Sequence, residues 1–191
     1  MAKIKLNPIF EEVSGAFGDL VFREVRGKTV LARKPDFSGV EPSEDQAMHR
    51  ERFREAVAYG KSVMADADIR AIYEEVSINK DMPIFALTVA DFFNAPVIQN
   101  VDLSAYNGQV ANVIKVRASD DFGVMNVRVA ITDAQNGNAV ESGNAIETAP
   151  GSDLWLYSAT EALTAGTLVD ITVVATDRPG GMASATHSKS L

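Results

Sequence analysis

Apolar and polar residues alternate strictly through much of the second half of the chain. Ile114, Val116 and Ala118 form one such run, Val127, Val129 and Ile131 a second, and Val169, Ile171, Val173 and Ala175 a third. A period of two puts each set on one face of a β-strand and leaves the opposite face to polar residues. The pattern predicts strands near residues 97–103, 109–119, 124–132, 139–143, 154–158, 168–176 and 181–188. Turn chemistry separates them, including Tyr106-Asn107-Gly108, Asn136-Gly137-Asn138, Pro150-Gly151-Ser152 and Arg178-Pro179-Gly180-Gly181. Short strands broken at such regular intervals predict an antiparallel β-sandwich over residues 94–191.

The first half follows other periods. Residues 14–35 read as a β-hairpin, with strand-like runs over 20–25 and 29–33 and a tight turn at Arg26-Gly27-Lys28. After a loop rich in Pro, Gly, Ser and Asp, Ser43-Glu44-Asp45-Gln46 matches a capping box, which opens a helix running to about Met64. Phe53, Ala56, Val57, Val63 and Met64 are its expected apolar face. Asp66 or Asp68 caps a second helix, on which Ile69, Ile72, Tyr73 and Val76 recur at helical spacing. Pro83 opens a third element over 84–93; helix is expected, while the alternation of Phe85, Leu87 and Val89 leaves a strand open. Asn94-Ala95-Pro96 marks the change of pattern, because a residue before proline is driven towards extended geometry. The expectation is an α+β protein: a hairpin-and-helix docking module over 1–93, then the sandwich over 94–191.

Particular stretches of text carry a resemblance. Val116-Arg-Ala-Ser-Asp-Asp-Phe-Gly-Val124, Val127-Arg-Val-Ala-Ile131, Trp155-Leu-Tyr157 and Ile171-Thr-Val-Val-Ala-Thr-Asp-Arg-Pro-Gly180 resemble the repeating text of bacterial immunoglobulin-like domains. Ser14-Gly15-Ala-Phe-Gly18, Gly27-Lys-Thr-Val30, Lys34-Pro35 and the helix with Gln46, Arg50 and Phe53 are similar to uncharacterised bacterial and phage-associated proteins. The resemblance implies an accessory structural protein with an immunoglobulin-like sandwich and carries over no catalytic residue.

Charge and composition narrow the function further. The net charge is −8 and the pI about 4.8, so the field over most of the surface repels phosphate and nucleic acid is a disfavoured partner. Basic charge is nevertheless concentrated in the hairpin, where Arg23, Arg26, Lys28, Arg33 and Lys34 stand against Glu24 alone. These five residues are the candidate partner-binding set. Arg23 and Arg33 are expected to share a face that grips an acidic patch, including one on another copy of the chain. The competing reading is an exposed strand pair that uses charge to discourage edge pairing.

Chemistry beyond binding finds little support. With no cysteine and two histidines, His49 and His187, neither a thiolate nor a histidine-based centre can be assembled, and no cofactor is expected. Glu74 and Glu75 are adjacent on a helix and point apart. Asp120, Asp121 and Asp177 follow neighbouring strands and could converge on Ca²⁺, although turn formation explains aspartate there better. The glycines of residues 14–18 lack the strand and the Gly-Lys-Ser/Thr ending of a phosphate loop. No run is long and apolar enough to span a membrane, and the first residues lack the apolar core of a signal peptide.

The reading is therefore a non-enzymatic structural or assembly protein with protein partners, a homo-oligomer or part of a larger assembly. It would be made in the cytoplasm and incorporated into a virion, injection machine or filament. Two alternatives remain: a carbohydrate- or peptide-binding module using sandwich loops, favoured if Phe122, Trp155 and Tyr157 are exposed, and a nucleic-acid accessory protein using the hairpin.

Overall fold

The strand-like runs of the first half form one antiparallel sheet. The computed structural model describes residues 2–3, 14–36, 39 and 41–191. Its β1 (Ala2–Lys3), β2 (Gly15–Phe17), β3 (Leu20–Glu24) and β4 (Thr29–Arg33) are ordered β1-β4-β3-β2. Between β3 and β4, Arg26 and Gly27 both take positive φ, 53° and 72°. Val25 N–H donates to the Lys28 carbonyl at 2.9 Å, and Lys28 N–H donates back at 3.2 Å. Two left-handed residues make the two-residue turn whose twist matches the flanking strands, and glycine at the second position adopts it without strain. The expected hairpin is thus the centre of a four-stranded sheet, extended by β2 along β3 and by β1 along β4.

Three helices follow. The capping box forms as expected: Gln46 N–H donates to Ser43 Oγ and Ser43 N–H to Gln46 Oε1, both at 3.3 Å, opening α1 (Glu44–Ala65). Its buried stripe is Ala56, Gly60 and Val63, with Tyr59 half-buried beside them. Phe53 and Met64, expected in that stripe, are 49% and 39% exposed. The reason is a close helix crossing at Gly60. A Cβ there would lie 2.7 Å from Thr88 Oγ1 and 2.8 Å from a Phe85 ring carbon, so the absent side chain sets which face turns inward. Gly60→Ala is expected to destabilise the protein by about 1–2 kcal/mol, because overpacking outweighs the roughly 1 kcal/mol gain in helix propensity. Urea unfolding measures this; a variant as stable as the parent would show that the crossing is loose.

α2 (Ala67–Lys80) is capped by Asp66, whose carboxylate accepts from the N–H groups of Asp68 and Ile69. The third element is helical, α3 (Ile84–Phe93), with Pro83 at its N-cap. The period-two reading of Phe85, Leu87 and Val89 fails because Leu87, Thr88 and Asp91 are the buried positions, which is helical spacing.

The sandwich consists of β5 (Val97–Asp102), β6 (Val113–Ser119), β7 (Asn126–Asp133), β8 (Ala139–Asn144), β9 (Ile146–Glu147), β10 (Leu154–Ser158), β11 (Leu168–Thr176) and β12 (Met182–Ser190). One sheet is ordered β5-β6-β10-β9 and the other β12-β11-β7-β8, all antiparallel. Each alternating apolar residue named above is fully buried, and Tyr106, Trp155 and Tyr157 join them in one core. Two details differ from the periodicity. Residues 109–112 turn rather than extend, with Asn112 Oδ1 accepting from the N–H groups of Asn107 and Gln109. The short β9 had no alternating run to announce it.

Two compact units divide the chain, Met1–Ala47 and Met48–Leu191. The second contains both the sandwich and most of the helical segment, and within it Tyr73 of α2 packs on Phe122 with ring centroids 4.6 Å apart.

Candidate functional site

The basic residues of the first unit are placed by strand register. Directly opposed residues on antiparallel strands share a face. Arg23 opposes Val30, and Arg33 opposes Leu20. Arg23 therefore lies on the face of Val21, Val30 and Ala32, whereas Arg33 lies on the face of Leu20, Phe22 and Leu31. The expectation of a shared arginine face is incorrect, since the pair is offset by an odd number of positions. Arg33 and Lys34 instead line a cleft of about 530 Å³ with Asp19, Pro35 and Asp36, where acidic and basic groups mix. Arg26 and Lys28 sit exposed on the turn and have no ion-pair partner among the described residues.

Apolar exposure accompanies that charge. Phe17 is 77% exposed, and Leu20 and Val25 are also open. Among the described residues of the first unit, Val30 is the buried hydrophobic.

In the second unit, polar groups gather where the helices meet the loops after β6 and β11. Tyr59 and Tyr73 hydroxyls lie 2.7 Å apart, and the Tyr73 hydroxyl donates to Asp91 Oδ2. Asp91 is fully buried, and its Oδ1 has no hydrogen-bond partner. Burial pushes the Asp91 carboxyl up to about 6; the Tyr73 hydrogen bond pulls down, Asp120 and Asp177 push up, and Arg178 pulls down. Burial and the Asp91 hydrogen bond likewise raise Tyr73, which keeps it a neutral donor. Asp177 is raised by burial despite the N–H donors of Gly180 and Gly181 at 2.8 and 2.5 Å.

The three aspartates weighed for Ca²⁺ serve local structure. Asp120 Oδ2 accepts from Phe122 N–H at 2.9 Å, Asp177 closes the turn before β12, and Asp121 Oδ2 accepts from Asn94 Nδ2 at 3.2 Å. Among the described residues no group of three or more His, Asp or Glu is arranged to hold a metal ion. Beside them, Phe93, Asn94, Ala95, Val97, Ser119, Asp120 and Asp121 line an open cleft of about 520 Å³. The Arg52 guanidinium lies 5.4 Å from the centre of the Phe93 ring, and the rings of Phe53 and His49 flank it at 6.5 and 5.9 Å. Sequence reasoning missed Asp91 and Phe93, for an acidic residue and an aromatic at a helix end have no distinctive spacing.

The sandwich aromatics are not a loop platform. Trp155 and Tyr157 are buried, and Phe122 rests on Tyr73. Tyr157 donates to Glu141 Oε2 at 3.1 Å, which also accepts from Thr160, and burial with that hydrogen bond pushes Tyr157 up to about 12. His49 and His187 are both exposed. No described helix is long and apolar enough to cross a membrane.

Comparison with known proteins adds little to this geometry. No family model and no curated protein matches the chain. A solved structure that matches in part is CopC from Methylosinus trichosporium OB3b, 20% identical, covering 49% of this chain and 89% of that one at a TM-score of 0.37. A likeness at that score is too slight to carry functional meaning.

Proposed function

We propose that this is a non-enzymatic structural or assembly protein, whose first unit docks onto a protein partner while an immunoglobulin-like sandwich is presented or packed as a spacer. The observation that carries this reading is the burial deficit of the first unit. A sheet whose described residues bury Val30 while leaving Phe17, Leu20 and Val25 exposed has little core of its own and gains by covering apolar surface. The immunoglobulin-like assignment is supported by strand order. In chain order the eight strands correspond to A, B, C, C′, D, E, F and G, giving sheets A-B-E-D and G-F-C-C′. Incorporation into a virion, injection machine or filament is the setting this reading carries.

The loop-binding alternative loses its support, because the aromatics it needs are packed. The nucleic-acid alternative is weakened by the placement of Arg23 and Arg33 on opposite faces.

The test is the native mass in solution across protein concentration and salt, by light scattering after size exclusion. Assemblies larger than 20.5 kDa that grow with concentration and shrink as salt rises are expected. A monomer under every condition would overturn self-association.

A further inference from the structure

We propose that the cleft lined by Phe93, Asp120 and Asp121 is the acceptor for the hairpin turn of a second copy of this chain, taking Arg26 and Lys28. This deepens the assembly reading and rests on it. The cleft offers two carboxylates, Asp120 and Asp121, to a guanidinium and an ammonium. The Phe93 ring is already covered by the Arg52 guanidinium at 5.4 Å and flanked by Phe53 and His49, so an incoming cation meets the carboxylates and not the ring face. Neither Asp120 nor Asp121 has an ion-pair partner among the described residues. Asp91 and Asp177 stand close enough to interact electrostatically with Asp120, and Arg178 offsets part of that charge. The whole segment 94–191 holds ten acidic residues against five basic.

The occupant follows from charge complementarity. Arg33 and Lys34 share their own cleft with Asp19 and Asp36, and Arg23 faces the opposite side of the sheet. Arg26 and Lys28 are the exposed basic residues of the turn between β3 and β4. Arg26 sits within the two-residue turn and Lys28 closes it against Val25, so both cations are carried within three consecutive residues and can meet the carboxylates of Asp120 and Asp121 together. Pairing joins two different surfaces, so it either closes reciprocally between two copies or propagates into rings or filaments.

Two charge-reversed variants test the pairing. Asp121→Lys removes one exposed carboxylate whose intramolecular role is a single hydrogen bond to Asn94. Arg26→Asp with Lys28→Glu reverses the turn while keeping a residue type suited to its left-handed position. At low ionic strength each variant alone is expected to assemble at least ten-fold more weakly than the wild type by light scattering. An equimolar mixture is expected to recover part of the association, because the ammonium introduced by Asp121→Lys meets the turn made acidic. Circular dichroism melts matching the wild type verify that both remain folded. Wild-type-like assembly of the Asp121→Lys protein would overturn the cleft as acceptor and leave the assembly reading standing, whereas a wild type monomeric throughout would remove both. Loss in both variants without recovery on mixing would also overturn direct pairing of these two surfaces.

Discussion

Replacing Asp91 by asparagine is expected to abolish most of the stability change between about pH 4 and pH 6 and to stabilise the protein above it. The carboxyl is fully buried and titrates near 6 in the folded chain, against about 3.9 when unfolded. A raised carboxylate pKa means that the folded state keeps a proton which the unfolded chain has already lost. Stability from this group is therefore fully present below about pH 4, falls as pH rises towards 6, and stays low beyond. The shift of about two units corresponds to about 3 kcal/mol. Asp177, raised by burial, acts in the same direction.

Asparagine retains an oxygen to accept the Tyr73 hydroxyl and has no charge to bury beside Asp120 and Asp177. Urea unfolding at pH 4.5 and 7.5 should give the variant a much smaller difference between the two values than the parent, the remainder coming from Asp177. At the higher value the variant should be about 1–2 kcal/mol more stable than the parent, the unpartnered amide N–H groups at the site of Oδ1 offsetting the rest. Equal pH dependence in parent and variant would mean that Asp91 is hydrated or otherwise compensated. Because this network joins α2 and α3 to the loops after β6 and β11, the same measurement reports how firmly helices and sandwich are tied within the second unit.

Ile171→Ala is expected to cost about 3–4 kcal/mol, a large share of the 5–15 kcal/mol that holds an ordinary domain together. Ile171 is fully buried on β11, between Ile131 of β7 and His187 of β12, so truncation opens a cavity against two rigid strands. Phe17→Ala provides the contrast. At 77% exposure its loss should change unfolding by less than about 0.5 kcal/mol while weakening assembly in light scattering. Measuring both properties for both variants separates residues that hold the fold from those that serve the interface. If Phe17→Ala leaves association intact, that apolar surface is not where copies meet.

The aspartate-and-aromatic junction was only partly legible in the sequence. Asp120, Asp121 and Asp177 stood out because they follow strands that must be neighbours, and their use in turns was the favoured reading. Asp91 and Tyr73 lie 18 residues apart on different helices, and no local rule joins them. On sequence Tyr73 looked like one more member of an amphipathic stripe; its hydroxyl acquires a role only when α3 brings a carboxylate against it. Phe122 shows the converse. A turn aromatic between Asp121 and Gly123 looked available to a ligand, yet packing turns it onto Tyr73.

Features governed by local chemistry could be read from the chain without its fold. Period-two alternation placed the buried residues of β6, β7 and β11, because the pleat allows only one face to be buried. Ser43 with Gln46, Asp66, and Gly27 marked a helix start, a helix cap and a turn through hydrogen bonds and backbone angles confined to a few residues. Packing between distant segments settled which face of α1 turns inward, since that depends on the clearance between Gly60 and residues of α3. Register likewise separated Arg23 from Arg33, because cross-strand pairing depends on where the turn falls and not on composition. The cleft at Phe93, too, exists only after the end of α3 and the loop after β6 are brought together, and nothing in either segment's own pattern encodes that meeting.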